Sequence, residues 1–177
     1  MAVWYSDWYG TQSSAGASTI AVPAIKTPWG VNTRTYKRCQ IVMPLSPVAF
    51  TAADTARLMH FKTSDRLVEI LVTAAGATAA AADIGFYLSG ANHDGGTCPG
   101  TTPTTLFASA LVLTTIARVD EFLESAVNIN SDRGQAIWEL LALTADPNVE
   151  VDLSLTCTTT LTTALGTVTV ECRGSFS

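Results

Sequence analysis

Nucleophilic catalysis needs a base beside a serine or cysteine, usually a histidine, and this chain offers only His60 and His93. His60 lies in an alternating stretch, where it shares a face with Leu58 and Lys62 and opposes Met59 and Phe61. That parity puts it on an outer sheet face. His93 stands in Asn92-His93-Asp94-Gly95-Gly96, which turns the chain whatever the histidine does. There is no G-x-S-x-G elbow. Asn92, His93 and Asp94 are adjacent metal donors, but consecutive residues do not converge on one ion without distant ligands, and the run lacks the alternating oxygens of a calcium loop. Asp120, Glu121 and Glu124 are the carboxylates closest to a glycosidase pattern, and they read as charges near solvent. Glu150, Asp152 and Glu171 fall on the wet face of the C-terminal strands. Gly95-Gly96-Thr97 has neither the lysine nor the helix start of a phosphate loop. No catalytic residue, metal ligand or cofactor site is assigned.

The elements around these residues alternate with a period of two. In Thr35–Met43 the residues Cys39, Ile41 and Met43 share one face, and Pro44 and Pro47 end the strand. Arg57–Lys62 and Arg66–Thr73 are joined by the turn Thr63-Ser64-Asp65, and Asp83–Ser89 follows an Ala/Gly-rich loop. The clearest strand is Val149–Thr158, with Val149, Val151, Leu153, Leu155 and Cys157 alternating with polar residues. Thr167–Arg173 alternates likewise and reads as its hairpin partner through the threonine-rich link between them. One helix is expected from Asp132, where Gln135 makes a capping-box-like start, and Ile137, Leu140 and Leu141 share a face until Asp146-Pro147-Asn148. Residues 116–130 mix a helical stripe (Val119, Phe122, Leu123) with a short alternation. Short strands separated by turns predict an all-β fold: an antiparallel, jelly-roll-like β-sandwich with one short helix.

Composition narrows the function classes. Only 14% of residues are charged, below the roughly 25% usual for soluble domains, so partners are expected to cover part of the surface. A net charge of −5 argues against a nucleic-acid partner, which would need a basic face. No apolar run is long enough for a membrane span, and the N-terminus lacks a signal-like core, so cytoplasmic synthesis is the expectation. Cys39, Cys98, Cys157 and Cys172 show no C-x-x-C spacing and are expected to be free thiols, with no disulfide.

Residues 1–33 differ from the sandwich expected over 34–177. They carry the aromatic repeat Trp4-Tyr5 and Trp8-Tyr9, then Ser/Ala/Gly/Thr-rich chain, then Trp29 between Pro28 and Gly30. This reads as an extended N-terminal arm. Solvated tails do not normally expose so much ring surface, so the arm either folds back on its own sandwich or docks on a neighbour. Trp4, Tyr5, Trp8, Tyr9 and Trp29 are the candidate partner-binding residues.

The order of pieces from Ala56 onward (strand, turn, strand, DIGFYLSG, a Gly-rich loop, LFASA) resembles capsid-decorating cement proteins of tailed bacteriophages. The resemblance implies a virion structural protein on the outer surface of the capsid. Its partners would be the major capsid protein and other copies of itself, as a homotrimer. The same fold in a neck, tail or host-recognition part is the alternative. A carbohydrate-binding sandwich fits less well, because Phe86 and Tyr87 face opposite ways and no strand presents an aromatic strip.

Overall fold

The structure, a computed structural model, describes residues 3–5, 35–43, 52–75, 81–91, 95–124, 132–159 and 166–177. The described residues form nine strands: β1 (Val3–Tyr5), β2 (Tyr36–Met43), β3 (Thr55–Lys62), β4 (Arg66–Ala75), β5 (Ala81–Leu88), β6 (Ala108–Val112), β7 (Thr115–Asp120), β8 (Glu150–Cys157) and β9 (Gly166–Ser175). One sheet runs β1-β3-β8-β5-β6 and the other β2-β9-β4-β7. Every pairing is antiparallel except that of β1, which adds to the edge of the first sheet parallel to β3. Leaving β1 aside, this is the eight-strand order of a jelly roll, in which the chain passes from sheet to sheet at almost every connection. Among the described strands, only β5 and β6 are consecutive in sequence and adjacent in one sheet.

This wrapping overturns the hairpin expected at the C-terminus. Strand β8 lies between β3 and β5, whereas β9 lies between β2 and β4 in the opposite sheet. Alternation decides which face of a strand is buried, and two strands facing across a core satisfy it as well as two paired side by side. Val151, Leu153, Leu155 and Cys157 of β8 are buried, as are Val168, Val170 and Cys172 of β9. Cys157 and Cys172 therefore belong to different sheets.

Between the sheets, five of the six phenylalanines form a continuous row. Phe176 meets Phe61 at 5.3 Å between ring centroids, Phe61 meets Phe86 at 6.2 Å, and Phe86 meets Phe107 at 5.5 Å, all edge-on. Phe107 then meets Phe122 at 5.7 Å in a tilted arrangement. Edge-to-face contact suits the ring quadrupole and adds to the area buried. Lys37 points inward from β2, with its ammonium 4.2 Å from the Phe61 centroid and 4.9 Å from that of Phe176. It donates to the carbonyl of His60, and burial, the dominant influence, lowers its pKa.

Helical structure is briefer than the sequence pattern implies. The helix expected from Asp132 is a single turn, Ile137–Leu140, with Ala136 at its N-cap. Asp132 and Gln135 instead close a turn, the Gln135 N–H donating to the Asp132 carbonyl at 3.0 Å. Ile137 and Trp138 donate their N–H groups to the carbonyls of Asp65 and Thr63, so the β3–β4 crossing satisfies the helix start. Ala142, at φ 55°, ends it. Of the mixed segment, β7 takes residues 115–120 and one helical turn takes Glu121–Glu124, whereas the short alternation over 126–130 lies outside the described residues.

Two outcomes follow from this core. Phe86→Ala, at the middle of the ring row, is expected to cost about 3–5 kcal/mol of unfolding free energy in denaturant titration. All four cysteines are buried and none is in a disulfide, and burial pushes the thiols of Cys98 and Cys157 up to about 11 and about 12 and raises that of Cys172 too. Alkylation without reductant should therefore leave the folded chain unlabelled and label all four thiols after unfolding; a bridge between Cys157 and Cys172 would contradict the fold.

Candidate functional site

The polar face of the five-stranded sheet is where the structure gathers side chains able to do chemistry. A bulge in β3 creates it: Arg57 pairs with Ser154 and Met59 with Leu153, leaving Leu58 as the extra residue. Leu58 and Met59 both go into the core, and Arg57 and His60 both emerge on the opposite face. Strict alternation would have separated them. His60 is thus on the outer face, as its parity with Lys62 implies, but Leu58 is not beside it.

This face is not wet, contrary to the expectation for Asp152. Asp152 and Arg57 are both fully buried at 0% exposure, and Ser154 and Ser89 are buried with them. A buried charge persists only with partners close by. Arg57 stacks its guanidinium 4.4 Å from the Tyr87 ring centroid and donates to the carbonyls of Leu88 and Gly95. It thereby holds the returning chain beyond β5, where Leu88 N–H bonds to Gly96 O at 2.9 Å and Thr97 bridges back to Tyr87. Gly95 must be glycine at that approach, because a Cβ would sit 2.2 Å from the Leu88 carbonyl oxygen. Thr156 joins the network, its hydroxyl 3.1 Å from both Thr55 and Tyr87.

His60 sits directly across from Asp152 in the β3–β8 register. Its Nδ1 is 3.1 Å from Asp152 Oδ1, and its Nε2 is 3.6 Å from Glu150 Oε1. Ser89 Oγ lies 3.4 Å from the same Nδ1. Serine, histidine and aspartate are therefore together, but not as a relay. A catalytic triad places the carboxylate on one ring nitrogen and the serine on the other. Here Asp152 and Ser89 share Nδ1, whose proton goes to the carboxylate, so no lone pair remains there to accept the serine proton. Nε2 faces a second carboxylate instead. The arrangement favours the protonated ring: the Asp152 hydrogen bond is the largest influence raising the His60 pKa, burial opposes it, and the charges of Asp152 and Glu150 add to the rise while Lys37 lowers it.

The remaining sequence candidates separate. Trp4 and Tyr5 have their backbone in β1, in register with Ala56 and Arg57 of β3. Trp8, Tyr9 and Trp29 lie outside the described residues, as do Asn92, His93 and Asp94. Asp120 accepts from the N–H groups of Ile70 and Phe122 and pairs with Arg133, so it is a structural tie, and Glu121 is buried; neither is a solvent charge. Among the described residues no group of three His, Cys, Asp or Glu is arranged to hold a metal ion. Arg57, Ser89 and Asp152 carry no motif in the sequence. Only the bulge and the β8 register bring them together.

A raised histidine pKa has a defined consequence for stability. The folded protein holds the His60 proton more tightly than the unfolded chain, whose reference value is 6.5. The stabilisation is complete below that value and is lost as pH rises through the folded-state pKa. Unfolding free energy should therefore fall as pH rises above about 6.5 and through the folded-state pKa, and His60→Gln should flatten that part of the profile. An unchanged slope in the variant would assign the dependence to other groups.

No helix among the described residues is long and apolar enough to cross a membrane. Comparison of the chain with protein-family models, with curated proteins and with solved structures finds no match.

Proposed function

We propose that this chain is a structural protein of a phage particle that binds the outside of the capsid shell and stabilises it without turnover. One observation carries the reading: the described sandwich presents no contiguous apolar patch, whereas most of the chain's tryptophans fall in residues 1–33. Among the described residues the only large hydrophobics exposed are Val68 and Val112, on different sheets, so no contiguous apolar patch is presented. The polar face of the four-stranded sheet is tied by Arg38 and Arg118 on Glu171 and by Arg173 on Glu69. Three of the four tryptophans, Trp4, Trp8 and Trp29, belong instead to residues 1–33. Large planar side chains are the usual anchors of protein interfaces.

The jelly roll supports this role as scaffold, since the fold recurs in capsid proteins and its wrapped sheets leave few open edges. Fold does not fix function, and the resemblance of the segment from Ala56 onward adds the capsid context. The partners in this reading are the major capsid protein and further copies of the chain, with a trimer as the assembly. The pairing of Val3–Tyr5 with β3 of the same chain shows that part of the arm has an intramolecular seat. A docked arm must then leave that seat or extend beyond it.

Binding to the assembled shell alone stabilises that shell by mass action. Particles lacking the protein should assemble but release their DNA at a lower temperature, and purified protein should restore stability saturably. Replacing Trp4, Tyr5, Trp8 and Tyr9 by alanine in the full chain should abolish that rescue while the sandwich still melts cooperatively. Counting copies per particle by mass spectrometry separates the positions: hundreds support the capsid, whereas a dozen or fewer would move the protein to the neck, tail or a recognition part.

A further inference from the structure

From a cleft at one edge of the sandwich, we infer that this protein binds a neutral sugar ring of about hexose size. The cleft has a volume of about 300 Å³ and is lined by Thr101, Thr102, Thr105, Leu106, Asp132, Gln135, Glu139, Leu140 and Ala142. That volume stands at the small end of ligand sites, which suits one ring and not an extended chain.

The walls come from three separate turns, and each contains backbone in the left-handed region. Thr102 has φ 43° and ψ 47° at the start of the 3-10 turn Pro103–Thr105, and Ala142 has φ 55° just after the helical turn. Gly134, at φ 82°, lies in the turn between Asp132 and Gln135. Non-glycine residues hold such conformations at a cost, and Thr102 and Ala142 both line the cleft. Gly100, at φ 121°, lets the Thr101–Thr105 wall approach the one at Ala142: a Cβ there would sit 2.4 Å from the Leu141 carbonyl oxygen, which also accepts from Thr101 N–H at 3.0 Å. The cleft is thus held open by short connections tied to one another.

Its chemistry is mixed in a way that selects the ligand class. Among the described residues the hydroxyls of Thr101, Thr102 and Thr105 make no hydrogen bond within the protein, so all three can both donate to a ligand and accept from it. The cleft also carries the acceptor-only carboxylates of Asp132 and Glu139 and the Gln135 amide, which donates from Nε2 to Asp132 Oδ1 at 3.3 Å. Glu139 is committed at one oxygen to the Ala136 N–H at 2.7 Å and lies 3.9 Å from Arg66. Leu106, Leu140 and Ala142 supply apolar carbon between the polar walls. An anion would meet two carboxylates. A ring carrying several hydroxyls offers donors to the carboxylates, donor and acceptor groups to the threonines, and C–H surface to the leucines. Capsid binding does not require this cleft, so the inference is independent of the proposed function.

The test uses the full-length protein and saturation-transfer NMR with free glucose, galactose, mannose, rhamnose and N-acetylglucosamine, and butylamine hydrochloride as a cationic probe. At least one sugar should receive saturation. The double variant Thr101→Val and Thr105→Val, which keeps side-chain shape, should weaken that binding by at least about tenfold. Thr73→Val, at an exposed position of β4, should leave it unchanged. Thr101→Val alone, at an exposed position, gives the same reading should the double variant fail to fold. Saturation of the amine and of no sugar overturns the inference in favour of a cation site. Silence from every sugar, or sugar binding untouched by the threonine variants, overturns it outright.

Discussion

The row of phenylalanine rings between the sheets is the contact on which the rest of this structure depends. Phe61 comes from β3, Phe86 from β5, Phe107 and Phe122 from the connections flanking β6 and β7, and Phe176 from the residue beyond β9. Five chain segments far apart in sequence must therefore arrive before any ring has its neighbours. Since the strands pair mainly with partners distant in sequence, the hydrogen-bond ladders likewise need the whole wrap. Closure of such long loops is entropically costly, and interlayer burial is the term large enough to offset it. Cations mark both ends of the row, Lys37 over Phe61 and Phe176, and Arg133 with its guanidinium 5.8 Å from the Phe122 centroid.

A second layer of order lies on the far side of the five-stranded sheet. There the sandwich buries Arg57, Asp152, Ser154 and Ser89, with Arg57 bonded to the chain returning from β5. Buried polar groups add little net stability, but each must find its partner, and so they enforce one arrangement of strands and loops. The bulge at Leu58 is what puts Arg57 on that face. Without it the guanidinium would point into the phenylalanine row. The His60–Asp152 pair extends the same logic to the cross-strand register, since it forms only when β3 and β8 align as they do.

These features describe a rigid carrier. Its four-stranded sheet is tied on the outer face by ion pairs, its serine–histidine–aspartate cluster is wired as a clamp, and three of its four tryptophans fall in residues 1–33. A scaffold of this kind separates two tasks physically. The sandwich keeps its shape through interlayer packing, and under the proposed function adhesion falls to the aromatic residues of 1–33. The cleft beside Thr101 and Thr105 is a third element, cut between turns where the layers do not reach.

The sequence by itself determined the fold class and the buried face of most strands, because period-two alternation is a local property that any sandwich must satisfy. The inward cysteines 39, 157 and 172, the opposite facing of Phe86 and Tyr87, and the strand beginning near Glu150 were all legible that way. Pairing was not. The alternation of β8 and β9 is the same whether they share a sheet or face across the core, and only the jelly-roll wrap separates them. The helix from Asp132 shrank to one turn because the carbonyls of Thr63 and Asp65, distant in sequence, set where it begins. The site was hidden for a related reason. Asp152 looks like any polar residue on a wet strand face until the bulge in β3 and the fold of the chain beyond β5 remove its water. Burial of a polar side chain is set by what covers it, and here the cover comes from segments that only the tertiary structure brings near.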